Sequence, residues 1–170
     1  MIAIAAAERN WGIGYRGQLL VHIREDLKNF SRLTKNRIVI CGRKTIETFP
    51  GGKPLKDRIN IIMTRNPSFH MEQAVTAHST EELFQLLRSE YPSFSEDEVF
   101  VIGGAEIYRQ LIPFCSRAIL TRIDHEFPSD AWFPDLEKEP GWILANEGEK
   151  QEADGILFHF DTWTNQSVQK

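Results

Sequence analysis

The chain has 170 residues, 41% hydrophobic and 26% charged, with a formal net charge of -4. These proportions exclude disordered and fibrous classes, and the length suits one domain spanning residues 1–170. The negative balance removes the whole-protein basic field that nucleic-acid binding uses, although a local basic patch remains open.

The N-terminal run Met1-Ile2-Ala3-Ile4-Ala5-Ala6-Ala7 reads as a buried first strand. It lacks the basic leader of a signal peptide and stops at Glu8-Arg9, too early for an apolar signal core. No run approaches the roughly 18 apolar residues of a membrane span. Further strand-length runs fall at 38–41, 59–63, 99–102, 118–121 and 156–160, and their branched residues suit strands covered on both faces. Helical patterns lie between them. Residues 25–34 carry Leu27, Phe30 and Leu33 on one stripe. Residues 79–90 open on Ser79 with Glu82 three residues later, a capping box, and bury Leu83, Phe84, Leu86 and Leu87. Residues 105–112 stop at Pro113.

Strands alternating with helices predict an α/β fold: a central, mostly parallel, twisted sheet with helices on both faces. The last third changes character. Residues 142–146 and 156–163 read as strands joined by a polar loop, an antiparallel hairpin that finishes the sheet. Cys41 and Cys115 have no metal-ligand spacing and read as buried reduced thiols, which fits a cytoplasmic protein.

Gly12-Ile-Gly14-Tyr-Arg-Gly17 matches the pattern G-x-G-x-x-G, but the dinucleotide fingerprint needs its glycines directly after a strand, opening a helix, with an acid about 20 residues on. Here Glu8 to Trp11 intervene, no helix start follows, and residues 31–36 hold no acid. The segment reads as a flexible glycine loop beside a site, or as plain turn chemistry.

Four features can carry chemistry. Asp26 sits in the first turn of a helix next to the apolar stripe, either as a helix-end charge stabilised by the dipole or as a site residue. Gly42-Arg43-Lys44-Thr45 and Thr64-Arg65 each follow a strand, so two strand ends deliver cations and hydroxyls where open α/β sheets bind anions; solvated surface cations are the alternative. Gly103-Gly104 lies between a strand and a helix, a phosphate approach or a tight turn. Arg58 is either solvated or a bidentate clamp for a carboxylate.

Together these segments resemble dihydrofolate reductase across nearly the whole chain. The carrying stretches are Trp11-Gly-Ile-Gly14, Glu25-Asp-Leu-Lys-Asn-Phe30, Gly42-Arg-Lys-Thr45, Pro54-Leu55 with Arg58-Ile-Asn-Ile-Ile62, Val101-Ile-Gly-Gly-Ala-Glu-Ile-Tyr108, Leu120-Thr-Arg-Ile-Asp124, and Asp130 with Phe133-Pro134. The resemblance implies an NADPH-dependent enzyme that reduces dihydrofolate and is inhibited by antifolates. It places Asp26 on the pterin, with Thr121 supporting it. Ala6, Leu27, Phe30, Phe49 and Leu55 would wall the folate pocket, and Arg58 would hold the carboxylate of the glutamate tail. Gly14 would belong to the mobile loop over nicotinamide, with Ala7 and Ile13 at its floor, and Ile102 and Tyr108 lining the ring.

The remaining implied contacts belong to the cofactor. Gly42, Arg43, Lys44, Thr64 and Arg65 would meet the phosphates, including the 2′-phosphate. Thr45, Gly103, Gly104, Ala105, Glu106 and Ile107 would hold the pyrophosphate and nicotinamide side. The chain departs from the common family pattern at Leu20-Val21, where Pro-Trp is frequent, and at Arg24, where proline is frequent. Val21 cannot order a water, so weaker binding of diaminopyrimidine inhibitors is expected. A riboflavin-pathway pyrimidine reductase would share the cofactor residues but lack the set Asp26, Phe30 and Arg58. A non-catalytic nucleotide-binding module has no need of Asp26. A monomer without metal is expected.

Overall fold

The computed structural model describes residues 1–169; Lys170, the end of the expected domain span, lies outside them. In chain order the elements are β1 (Ile2–Glu8), β2 (Gly12–Tyr15), β3 (Gln18–Leu19), α1 (Arg24–Thr34), β4 (Ile38–Gly42), α2 (Arg43–Ile46), β5 (Ile59–Met63), β6 (Ala74–Ala77), α3 (Thr80–Glu90), β7 (Val99–Gly103), α4 (Ala105–Leu111), β8 (Arg117–Ile123), β9 (Ala131–Trp132), β10 (Trp142–Glu147), β11 (Gln151–Ala153) and β12 (Ile156–Asn165).

The main sheet runs β10-β12-β8-β1-β7-β4-β5-β6, and β11 adds to β12. Its pairs are parallel from β8 through β6 and antiparallel where β12 meets β8, β10 and β11. The expected C-terminal hairpin is therefore present, with β11 inside the predicted polar loop.

Strand alternation builds two apolar layers. On one face Ile2, Ile4, Val39 and Phe100 receive Phe30 and Leu33 of α1. On the other, Ala3, Ile38, Ile40, Ile61 and Val101 receive Leu83 of α3 and Ile107, Tyr108 and Leu111 of α4. Helices thus cover both faces, as expected. Leu27 departs from the expected buried stripe: it is 44% exposed. Thr34, one turn on from Phe30, is the helix's buried position instead, its hydroxyl donating to the Phe30 carbonyl.

Ser79 caps α3 as expected, accepting from the Glu82 amide at 3.1 Å. The Glu82 side chain reaches one residue further, to the His78 amide at 2.7 Å, so the box closes on His78. Both cysteines are buried and free. Burial pushes each thiol up to about 12, which keeps it protonated and inert.

The glycine segment folds as structure of its own. β2 pairs with β3 and with β9 in a small second sheet. The two-residue turn between β2 and β3, Arg16-Gly17, has φ of 51° and 75°. Positive φ at both positions is the tight hairpin turn that matches strand twist. The expected loop is therefore a hairpin laid over the end of β1.

Candidate active site

β1 pairs with β7 only at Ile2–Phe100 and Ala3–Val101, whereas its pairing with β8 continues to Glu8. Meanwhile β7 stays with β4 out to Gly103. The sheet consequently parts between β1 and β7 beyond Ala3. A cavity of about 1060 Å³ opens there, at the carboxyl ends of the parallel strands.

Because a strand edge meets this opening, consecutive residues Ile4, Ala5 and Ala6 line it from one side and Ile102, Gly103 and Gly104 from the other. Ala7 does not line it. It is fully buried, paired with Arg122 of β8 where the β2 segment folds back over β1. The expected placement of Ala7 on the cavity floor is thus corrected, and Ala5, unforeseen, takes that position.

At one end stands Asp26, with Leu27, Phe30 and Ser31 of α1 and Phe49 and Leu55 opposite. Thr121 lies off the cavity wall, 3% exposed on β8, and its hydroxyl donates to Asp26 Oδ1 at 2.5 Å. Burial pushes the Asp26 carboxyl above its ordinary value, and the Thr121 bond draws it part of the way back. Arg58 lies on the same side. Its Nε and Nη2 donate to Thr34 Oγ1 at 3.2 and 3.1 Å, Nη2 also to the Ser31 carbonyl at 3.1 Å, and Nη1 to the Lys56 carbonyl at 2.6 Å. The C-terminal turn of α1 therefore fixes the guanidinium fork before any ligand arrives. Among the described residues no carboxylate pairs with it.

The other end is basic. Gly42, Arg43, Lys44, Thr45, Thr64 and Arg65 all line the cavity, where β4 and β5 end side by side with Gly42 opposite Met63. Arg43 is ion-paired to Glu47 at 2.7 Å. Among the described residues Lys44 and Arg65 have no ion-pair partner. β6 runs alongside with Ala77 opposite Met63, which brings His78 to the same edge, its Nδ1 2.9 Å from the Thr64 carbonyl. His78 was missed in the sequence because the apolar run of β6 is only four residues long.

Between the two ends, Gly103, Gly104, Ala105, Glu106, Ile107 and Tyr108 form one wall, and Ile13 and Gly14 of β2 the facing edge. The Gly103-Gly104 peptide is cis, and Gly103 has φ of 115°. A Cβ on Gly103 would lie 3.2 Å from the Tyr108 ring, and one on Gly104 would lie 3.0 Å from Thr45 Oγ1. The glycines thus keep this wall backbone-thin. Tyr108, 3% exposed, donates its hydroxyl to the Ile4 carbonyl at 2.6 Å and ties the two sides of the parted sheet together. Gln18, Leu19 and His22 also line the cavity without any sequence signal.

The architecture is that of an α/β enzyme whose ligands enter where two neighbouring parallel strands separate. The dihydrofolate reductase family model matches residues 1–165, and the chain belongs to that family. It is 33% identical over 159 residues to the dihydrofolate reductase of Bacillus subtilis (strain 168), covering 92% of this chain and 89% of that one. It is 34% identical over 176 residues to the enzyme of Rattus norvegicus, covering 94% of each. Among solved structures, dihydrofolate reductase from Enterococcus faecalis, complexed with NADP(H) and RAB-propyl, superposes with a TM-score of 0.80 at 28% identity, covering 97% of this chain and 95% of that one.

Proposed function

We propose that the chain reduces 7,8-dihydrofolate to 5,6,7,8-tetrahydrofolate with NADPH as the hydride donor. One observation carries the reading: a single continuous cavity holds a half-buried carboxyl at one end and unpaired cations at the other. The cation end fits the cofactor. Lys44 and Arg65 would face its phosphates, and the thin Gly103-Gly104 wall admits a planar ring beside β1. When bound, NADPH supplies the hydride that adds to C6 of the pterin.

The chain's own residues do the rest. Asp26 would take the aminopyrimidine edge of the pterin and promote protonation at N5 as C6 gains the hydride, burial shifting its carboxyl upward in that direction. Thr121 orients that carboxyl. Leu27, Phe30, Phe49 and Leu55 would exclude water from the ring, and Arg58, held in place by Thr34, Ser31 and Lys56, would attract the tail carboxylate with its charge and its remaining Nη1–H. Reduction of the N5=C6 bond consumes one hydride and one proton, so a single acid suffices.

We further propose a one-domain monomer acting in the cytoplasm. In support, the cavity is complete within one chain, and two buried free thiols suit a reducing compartment. Among the described residues no helix is long and apolar enough to cross a membrane. Val21 packs against Ile23 and Phe158 and offers no donor near Asp26, which supports weak binding of diaminopyrimidine inhibitors; Val21→Trp is expected to tighten it, and equal inhibition of the two proteins would remove the idea.

The test of the activity is dihydrofolate-dependent loss of reduced-nicotinamide absorbance. Turnover by the wild type, reduced by about 10²–10⁴-fold in Asp26→Asn at neutral pH, is expected. No turnover by a protein that still binds NADPH would reject the reading.

A further inference from the structure

Glu8 ends β1 as a carboxylate only 1% exposed, and nothing in the proposed chemistry uses it. Burying a charge is costly unless it is well bonded. Its Oε1 accepts two backbone N–H groups, from Gly12 at 2.8 Å and from Asn10 at 3.0 Å, whereas Oε2 has no partner. Both donors belong to the short segment that carries the chain from β1 to the cavity edge. Gly12 pairs with Trp132 of β9, and the next two residues, Ile13 and Gly14, line the same cavity as Gly103.

The fit at Gly12 is tight. A Cβ there would lie 2.2 Å from Ser129 Oγ and 2.8 Å from Glu8 Oε1. Its φ is not among the positive values, so the glycine answers to space rather than to backbone conformation. From the other side, the Arg122 guanidinium stacks 4.0 Å over the Trp11 ring, which holds the intervening residue. The first glycine of the G-x-G-x-x-G pattern therefore serves a carboxylate clamp and is not a phosphate cradle.

We propose that Glu8 is a positioning residue for hydride transfer: its carboxylate fixes the Gly12 backbone so that Ile13 and Gly14 stand against the nicotinamide end of the cavity. The proposal rests on the reductase reading above. Glu8 acts through reach, because an acceptor must arrive at the Gly12 amide, and not through its charge.

Two variants separate reach from charge. Glu8→Gln keeps the reach and loses the charge; Glu8→Asp keeps the charge and loses one methylene of reach. Two readouts apply: amide hydrogen exchange at Gly12 in the ligand-free protein, and single-turnover hydride transfer. Glu8→Asp is expected to speed exchange at Gly12 and slow hydride transfer, each by about tenfold, with KM for dihydrofolate held within about twofold. Glu8→Gln is expected to match the wild type in both. Wild-type exchange in Glu8→Asp, faster exchange with unchanged hydride transfer, or an equal decline in Glu8→Gln would each overturn the proposal. If the wild type itself transfers no hydride, the reductase reading fails, and the exchange comparison alone still decides whether Glu8 clamps Gly12.

Discussion

The Thr121 hydroxyl donates to Asp26 Oδ1 at 2.5 Å, across 95 residues of sequence, and is the one side-chain hydrogen bond the half-buried carboxyl makes among the described residues. Burial raises the carboxyl's pKa and this bond lowers it. Removing the hydroxyl in Thr121→Val therefore moves the pKa higher still. If the protonated acid serves N5, the falling limb of the pH profile for hydride transfer shifts to higher pH in Thr121→Val. Single-turnover rates across the neutral range check this; a shift to lower pH would contradict it.

The same group links pH to stability. The folded chain holds the Asp26 proton to higher pH than the unfolded chain does, so stability is greater in acid and is lost as pH rises through the raised folded value. Asp26→Asn escapes that loss. It is expected to be more stable than the wild type at neutral pH, with the advantage shrinking in mild acid, as read by urea denaturation at both pH values. An enzyme made slower and more stable by one substitution is the signature of a site residue held at a cost.

Arg58 is fixed by Thr34, Ser31 and Lys56 before substrate arrives. Arg58→Ala is expected to raise KM for dihydrofolate by about tenfold to a hundredfold with little change in kcat, because a charge-assisted contact with the tail acts equally in ground and transition states. Arg58→Lys keeps the charge but loses the planar set of bonds to Thr34, Ser31 and Lys56 that places it, and most of the loss should remain. Steady-state kinetics distinguish this from a fall in kcat alone.

Lys44 and Arg65 differ from Arg43, which Glu47 already neutralises. Alanine at either unpaired cation is expected to weaken NADPH by about tenfold and NADH far less, and to flatten the salt dependence of NADPH binding. Fluorescence titration at two ionic strengths reads all three effects. Equal losses for both nucleotides would place these cations away from the 2′-phosphate.

Much of the scaffold was legible in the chain because it rests on short-range pattern. The run Ile59–Met63 is a strand with the expected limits, and Pro113 stops the fourth helix close to where it should. Buried parallel strands are apolar throughout, and helices repeat every three or four residues, so both signals are local. What escaped was short or conditional. The Ala74–Ala77 strand is too brief to stand out, and so His78 was not seen at its end. The glycine segment is a hairpin because two residues adopt positive φ and β9, more than a hundred positions away, pairs with it.

The sequence by itself determined the alternating α/β order, the strand ends that deliver Arg43, Lys44, Thr64 and Arg65, and the family. The tertiary structure alone decided where the sheet parts. Register is a relation between strands, and no single strand encodes that β1 leaves β7 after Ala3 while keeping β8 as far as Glu8. That divergence opens the cavity, while the docking of α1 near β8 makes neighbours of Asp26 and Thr121. The Asp26–Thr121 bond and the parting of β1 from β7 are relations across the fold, set by packing between segments whose own patterns carry no record of one another.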